Sequence, residues 1–505
     1  MKNVFLSEDI RLMDNQEAAK RGGELELVEL SGYIVASRIR RLVNHGPVLF
    51  FCGPGNNGGD GIAAALLLEK EGIETKVCLV GARLKPSTLV LWGRYMEQNP
   101  LGALQTIAEG DIHAFANRTT GGVLAVDALL GTGARFGLVG AYRAAAEVIN
   151  GLSGQMPVLA VDIPTGVCGD TGRADPASVR ANETICLTGY KAGVLLYPGA
   201  AYAGKVHTAT VFESDVELAR HRYLFTGEDM LSLHRNRNTH KGSYGRLCII
   251  GGSPGMPGAA LLSAQAALRS GVGTVTLATT GDTVALYTHR ITEAMAWSLP
   301  FDHNGDLMEE QLLEFIQGRT AVVLGPGLGT GAWVYQAVGC ALRSGIPALF
   351  DADGLNAISR RGTRILEEAT IPPILTPHPM ELSRLMETNI ENVLNDPILW
   401  VERASQRFSA IILLKGSTSV VADGRRTVFI NRGTAGMAKG GSGDVLSGII
   451  GSFMAMGYPL EYAVWAGAYC AGRAGEYAAA EYGTTYMLPT DTIGMLYKVY
   501  KEMEK

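Results

Sequence analysis

Val48-Leu49-Phe50-Phe51-Cys52-Gly53-Pro54-Gly55-Asn56-Asn57-Gly58-Gly59-Asp60 decides the fold of the N-terminal half. A short run of apolar, β-prone residues breaks at a glycine-rich turn, and the Ala- and Leu-rich stretch 61–71 that follows has helical character. The order strand, turn, helix recurs along the chain. Runs at 47–52, 76–80, 122–130, 157–161 and 184–187 read as buried strands, with 61–71 and 142–150 as helices between them. Such alternation predicts a mostly parallel sheet covered by helices on both faces.

The alternation lapses at 227–244, which is polar, basic and rich in Asn and His. It resumes with apolar runs at 246–250, 274–278, 321–324, 348–350, 373–375 and 410–414. Asp423-Gly424 between β-prone runs predicts a hairpin within 420–430, and 444–505 reads as a long helical tail. At 505 residues the chain is too long for one core. Two α/β domains are expected, 1–225 and 226–505. Their motifs differ, so this is not a duplication.

Charged residues make up 18% of the chain and the net charge is −5, with no dense Lys/Arg run. Nothing in that balance calls for nucleic acid or an anionic membrane as partner. No apolar run approaches the length of a membrane span, and residues 1–14 lack the pattern of a signal peptide. The seven cysteines are dispersed and form no CxxC pair, which predicts reduced thiols in a cytoplasmic protein.

Gly53-Pro54-Gly55-Asn56-Asn57-Gly58 fits G-x-G-x-x-G, whose backbone N–H groups can approach a phosphate at a helix N-terminus. The dinucleotide fingerprint also wants an acid at the end of the second strand. Here that strand ends Val80-Gly81-Ala82-Arg83, which disfavours an ordinary dehydrogenase. The glycines alone could form a tight turn that binds nothing, and Asp127 and Asp162 could merely cap the turns that follow them. Their placement argues for more. Both aspartates end strands, so both fall on the sheet edge that carries the Asn turn. Gly131-Thr132-Gly133-Ala134-Arg135-Phe136-Gly137 follows the first and Ile163-Pro164-Thr165-Gly166 the second. The Asn57 amide, the Asp127 carboxylate and the Thr165 hydroxyl would give an all-oxygen site for a hard cation.

In the C-terminal half, Lys439-Gly440-Gly441-Ser442-Gly443-Asp444 leads into an apolar helix. The glycines expose N–H donors toward a phosphate, and Asp444 stands where a substrate hydroxyl would meet a transferred phosphoryl group. A plain helix cap is the bland alternative for Asp444. No G-x-x-x-x-G-K-[ST] is present. Lys415-Gly416-Ser417-Thr418-Ser419 could reach nucleotide phosphates, although a lone surface lysine is the commoner case. Gly325-Pro326-Gly327-Leu328-Gly329 allows close backbone approach, and Asp351-Ala352-Asp353-Gly354-Leu355-Asn356 offers two acids suited to Mg2+. Thr376-Pro377-His378-Pro379 fixes His378 on a rigid turn.

The N-terminal motifs, with Lys191-Ala192-Gly193 and Tyr197-Pro198-Gly199, resemble NAD(P)H-hydrate epimerases over about the first 215 residues. His240-Lys241-Gly242-Ser243-Tyr244-Gly245, Gly251-Gly252-Ser253 and the C-terminal motifs above resemble NAD(P)H-hydrate dehydratases from about residue 235 onward. The resemblance implies a Rossmann-like three-layer sandwich followed by a ribokinase-like domain. It implies a bifunctional repair enzyme. The first domain would interconvert the R and S hydrates of NADH and NADPH, and the second would dehydrate the S hydrate at the expense of ADP, favoured over ATP. It assigns the hydrate to Asn56, Asn57, Gly58, Gly59, Asp60, 131–137 and Asp162, with Asp162 as acid/base, and K+ to Asn57, Asp127 and Thr165. It assigns the S hydrate to Ala259, Gly327, His378 and Asp444, with Asp444 as base, and the nucleotide, carried with Mg2+, to 415–419 and Gly443. Relatives imply a homo-oligomer acting on small molecules.

Two positions depart from the family pattern. Val28-Glu29-Leu30-Ser31-Gly32 has Leu30 where relatives show Asn, and Ala471 stands where they often carry His. Two other readings stay open on the residues themselves. The C-terminal half could be a vitamin or sugar kinase, and the N-terminal half a ligand-binding module without catalysis.

Overall fold

The computed structural model describes residues 1–118, 121–134, 136–232, 235 and 237–504. Arg135 lies outside the described residues. The chain forms two compact units that meet between Ala219 and Arg220, earlier than 225/226.

The N-terminal unit begins with β1 (Lys2–Phe5), α1 (Ser7–Arg21) and α2 (Glu24–Ile39). The alternating series follows: β2 (Val48–Cys52), α3 (Asn56–Lys70), β3 (Thr75–Val80), α4 (Pro86–Gln98), β4 (Ala103–Thr106), α5 (Glu109–Arg118), β5 (Leu124–Ala128), α6 (Gly140–Leu152) and β6 (Val158–Val161). It closes with β7 (Glu183–Leu187), β8 (Tyr190–Lys191), α7 (Ala200–Ala203) and β9 (Lys205–Ala209). Seven strands make one parallel sheet in the order β4-β3-β2-β5-β6-β7-β9. Val48, Phe50 and Cys52 pack with α2 and α3 in one core, whereas Leu49 and Phe51 pack with α6 in another. Alternate residues therefore serve opposite faces, which makes the unit a three-layer sandwich. The strand order reverses direction between β2 and β5, and ligands bind at such a switch point.

The helix after β2 starts earlier than its apolar pattern suggests. Gly55 is its N-cap, so Asn56-Asn57-Gly58-Gly59-Asp60 forms the first turn and a little beyond rather than a loop. Its free N–H groups face the crevice end of the sheet.

The C-terminal unit opens with β10 (His221–Leu224), which pairs in parallel with a later strand, β19 (Arg426–Ile430). Between them come β11 (Arg246–Ile250), α8 (Pro257–Arg269), β12 (Thr274–Thr279), α9 (Gly281–Arg290), β13 (Met295–Ser298), α10 (Glu309–Gln317), β14 (Ala321–Leu324) and α11 (Trp333–Arg343). Next are β15 (Ala348–Phe350), α12 (Asp353–Arg361), β16 (Ile374–Leu375), α13 (Pro379–Leu385), α14 (Ile390–Asn395), α15 (Pro397–Phe408), β17 (Ile411–Leu414) and β18 (Ser419–Ala422). The tail is not one helix but three: α16 (Ser442–Ala455), α17 (Leu460–Tyr482) and α18 (Pro489–Met503). Pro459 and Pro489 sit at the starts of the second and third, where a missing N–H costs nothing.

Strands β13-β12-β11-β14-β15-β16-β17 run parallel, and β17-β18-β19 continue them as an antiparallel meander around Asp423-Gly424. Leu247, Ile249, Val275 and Val323 pack with α8, α16, α17 and α18, while Cys248, Ile250, Val322 and Leu324 are equally buried on the other face. Here too the order reverses, between β11 and β14. Ala471 is buried in this core. The seven cysteines are free thiols.

Candidate active sites

Over the crevice edge of the N-terminal sheet lies a cavity of about 460 Å³. One helix layer and the strand ends contribute to it. The first turn of α3 brings Asn56, Asn57 and Asp60, the loop after β5 brings 131–134, and the end of β6 brings Asp162. Thus Gly131, Thr132, Gly133 and Ala134 share one cavity with the Asn turn and Asp162, as the sequence predicts. Phe136 and Gly137 line an adjoining cavity of about 210 Å³ on the other side of the same loop, where Arg173 stacks on the Phe136 ring.

Gly58 shows why this turn tolerates no side chain. A Cβ there would stand 1.8 Å from the carbonyl oxygen of Gly53. Gly58→Ala should therefore push the Asn turn off its strand, costing about 1–3 kcal/mol of stability and most of any exchange activity. Thermal melting and an epimer-exchange assay check this; an unchanged variant would show that the turn has slack.

Asp162 is strained and buried. It takes φ 68°, as does Thr188 on the cavity wall, and such backbone in a non-glycine residue tends to be retained at functional sites. Its carboxylate accepts from the Leu187 N–H at 3.2 Å and from the ammonium of Lys191, which is 1% exposed. Burial, with Asp162 and Asp14 alongside, pushes Asp60 well above the usual carboxylate range. Asp14, on α1, is raised to about 6 by burial and by Asp162.

Asp127 is fully buried between β2 and β6. The Thr165 hydroxyl donates to it at 2.7 Å and the Thr165 N–H at 2.8 Å. Burial still outweighs these bonds and lifts its carboxyl to about 6. Both polar atoms of the Asn57 side chain are buried without a hydrogen-bond partner among the described residues. The orphaned Asn57 oxygen follows β2, and Asp127 lies on the paired strand β5; such oxygen donors suit a weakly charged hard cation. Leu30 is not part of the cavity wall; Leu27, Val28 and Ser31 of the same helix are.

In the C-terminal unit three consecutive parallel strands end in site residues. Asp351 follows β15, His378 follows β16 and Lys415 follows β17. Lys415 Nζ is 2.6 Å from Asp351 Oδ1 and 3.8 Å from Glu381 Oε2. Burial acts to depress Lys415, yet Asp351 and Glu381 hold it above the usual lysine range. Ser447 on α16 donates to Asp351 Oδ2 at 2.6 Å, which ties the strand ends to the helix that carries Asp444. Asp444 sits in the first turn of α16; burial and the nearby Asp351 raise its carboxyl to about 6, against Lys415. Gly443 stands beside Lys415 and Asp351: a Cβ there would lie 3.5 Å from Lys415 Nζ.

Gly327 takes φ 66°, and a Cβ would meet the Met256 carbonyl at 2.6 Å and Ala259 Cβ at 3.0 Å. The two residues assigned together from sequence are therefore neighbours at the switch point. Ala352, between the paired acids, is held at φ 45°. His378 turns its ring onto its own helix: Nδ1 accepts from the Met380 and Glu381 N–H groups, so a neutral ring carries its proton on Nε2, which stands 3.5 Å from Glu381 Oε1. Gly416, Ser417 and Thr418 form the turn into β18, and Ser419 begins that strand.

Several members of these sites are absent from the sequence reading. Asp14, Glu381 and Ser447 come from helices; Glu381 and Ser447 each lie one turn beyond a diagnostic motif, and Asp14 lies near none. Lys191 belongs to a motif of the resemblance but has no site role there; a lone lysine in an apolar stretch, where a charge survives only with a partner, signals one.

Residues 24–193 match the family described as the YjeF-related protein N-terminus, and residues 247–498 match NAD(P)H-hydrate dehydratase. The bifunctional NAD(P)H-hydrate repair enzyme of Thermofilum pendens is 34% identical, over 100% of this chain and 97% of its own length. The enzyme of the same description from Escherichia coli is 33% identical, over 98% and 93%. The ADP/ATP-dependent NAD(P)H-hydrate dehydratase of Bacillus subtilis, crystallised with ATP and Mg2+, is 28% identical over 56% of this chain and 98% of its own, with a TM-score of 0.49. The chain thus belongs to the bifunctional NAD(P)H-hydrate repair enzymes, with an epimerase-like N-terminal domain and a dehydratase C-terminal domain.

Proposed function

We propose that the N-terminal domain interconverts the R and S hydrates of NADH and NADPH, and that the C-terminal domain returns the S hydrate to NAD(P)H at the expense of ADP, with ATP a poorer donor. The observation that carries the reading is Asp444, a carboxyl raised to about 6 in the first turn of α16, behind the glycines of a phosphate-binding turn. Asp444 takes the proton of the ring hydroxyl as the nucleotide's terminal phosphoryl group moves onto that oxygen. The carbon–oxygen bond then breaks with its electron pair leaving on phosphate, the ring nitrogen lone pair assists, and loss of the neighbouring ring proton restores the double bond. Lys415, residues 416–419 and Gly443 would hold the nucleotide, and Ala259, Gly327 and His378 the hydrate. Among the described residues no three His, Cys, Asp or Glu side chains cluster as a metal cage, so Mg2+ would ride chiefly on the phosphates, as is its habit.

In the N-terminal domain Asp162 would move protons at the ring hydroxyl, while residues 56–60 and 131–137 seat the hydrate. Asn57, Asp127 and Thr165 would hold K+, which supplies a fixed positive charge beside a carboxylate buried without one. Replacing K+ by tetramethylammonium should lower epimer exchange about tenfold or more, with dehydration of pure S hydrate unaffected. Exchange that ignores the cation would remove K+ from this reading. Free thiols suit the reducing cytoplasm, no helix among the described residues is long and apolar enough to cross a membrane, and the family resemblance extends the reading to a homo-oligomer.

The test mixes the protein with both hydrate epimers, Mg2+, K+ and either ADP or ATP, and follows recovery of reduced-cofactor absorbance. Recovery of both epimers is expected, faster with ADP. Recovery of S alone would mean that the N-terminal domain does not catalyse exchange; recovery of neither would overturn the whole reading. Asp162→Asn should stop the R hydrate from being recovered and leave the S hydrate alone.

A further inference from the structure

Asp14, on the wall of the N-terminal cavity, has no part in the mechanism above. Ser7, Ile10, Arg11 and Asp14 line it from α1, at spacings of three and four that put them on one helical face. Asp162 enters from the end of β6 and Asp60 from α3, and Lys191 is paired with Asp162. Four carboxyl groups thus line one cavity, Asp14, Asp60 and Asp162 with Glu24 at its exposed side, against the buried Lys191 ammonium and the exposed Lys85, and like charges packed so closely cannot all ionise.

We propose that Asp14 is the second proton-transfer residue of the epimerase, acting from α1 while Asp162 acts from the strand end. The proposal rests on the epimerase reading given above. Inversion at the hydroxylated ring carbon requires oxygen to leave one face and return to the other. Protonated Asp14 gives its proton to the ring hydroxyl. The carbon–oxygen bond breaks, its electron pair departs with water, and the ring nitrogen lone pair forms a carbon–nitrogen double bond. Water then adds to the opposite face and loses a proton to the Asp162 carboxylate. One water leaves, one enters, and one proton passes from Asp14 to Asp162; the reverse direction exchanges the two roles. Burial and Asp162, with Glu24 adding and Lys191 and Lys85 opposing, put Asp14 at about 6, which suits an acid working near neutrality. Asp60 faces the same cluster, raised well above the usual carboxylate range by burial and by Asp162 and Asp14, but it lies within the turn of α3 that seats the hydrate.

The test uses the full chain with purified R hydrate and K+ but no nucleotide, so that only exchange is seen, with S hydrate resolved by chromatography. Asp14→Asn should slow exchange about 100-fold in kcat with KM little changed, and should lose a limb of the pH profile near pH 6 that the parent shows. Asp14→Glu should recover part of the rate. Dehydration of S hydrate with ADP and Mg2+ should match the parent, which verifies folding. Exchange by Asp14→Asn within about threefold of the parent would overturn the proposal, and so would a loss confined to KM with the pH profile intact. A parent no faster than the uncatalysed hydrate would instead overturn the epimerase reading itself.

Discussion

Asp444→Asn should cut recovery of reduced cofactor from the S hydrate by about 10²–10⁴-fold while epimer exchange in the same sample continues at the parent's rate. The size of the effect follows from what the amide cannot do. A ring hydroxyl has no tendency to ionise near neutrality, and phosphoryl transfer to it leaves little for a protein to contribute beyond positioning, charge compensation and removal of that one proton. The amide would keep the shape of the side chain and the start of α16, and would leave the Lys415–Asp351 pair and its bond from Ser447 in place. Lost folding is therefore not the expected cause. A base raised to about 6 is active in its ionised form above that value, so the parent's dehydration rate should fall as pH drops through about 6. The variant's residual rate should lack that dependence. Rates of dehydration at matched ADP and Mg2+ between pH 5 and 8 decide the matter: recovery near the parent's level would remove Asp444 as the base.

What the sequence reveals of these sites follows burial. Strands covered on both faces, such as Val48–Cys52 and Ala321–Leu324, are unbroken apolar runs, and their ends locate Asp127, Asp162, Asp351, His378 and Lys415 without any structure. Strands with exposed residues escape the same reading. His221–Leu224 begins with two polar residues, and Met295–Ser298 is half-exposed along its length, so each shows only a short apolar run, 223–225 or 294–297, without the β-branched residues of a buried strand. Helix α1 is missed for a related reason: its buried face includes Glu17, which spoils the apolar stripe, so nothing marks Asp14 as lying over a crevice. Partners that meet only in the tertiary fold, such as Ser447 with Asp351, 96 residues apart in the chain, have no local signature at all. The start of α3 shows a subtler limit. Two Asn and three Gly in six residues read as a turn, but backbone N–H groups at a strand-to-helix junction wind it into the helix.

Lys191→Met should be the most damaging single change in the N-terminal domain. Methionine matches the length of the lysine stem and fills its channel, so packing changes little. The ammonium, however, is 1% exposed and paired with Asp162, and removing one partner of a buried pair typically costs about 3–5 kcal/mol because the other charge is left without compensation. For a unit of this size that corresponds to roughly 10 °C or more in its unfolding transition. The loss should depend on pH, with a sign fixed by the neighbours. Lys191 acts to lower Asp14 and Asp60, both of which burial and Asp162 already raise, Asp14 to about 6. Without the ammonium they rise further. A carboxyl whose folded value exceeds its unfolded one gives its full stabilisation below the unfolded value, about 4, and loses it as pH climbs through the folded value. The deficit of Lys191→Met relative to the parent should accordingly be small near pH 5 and grow through pH 6 toward 8. Epimer exchange should vanish across the range, because Asp162 loses the group that orients it. Calorimetry of parent and variant at pH 5, 6.5 and 8 tests both points. A deficit that stays constant with pH would mean that Lys191 acts through packing and not through the charge of the three carboxylates around it.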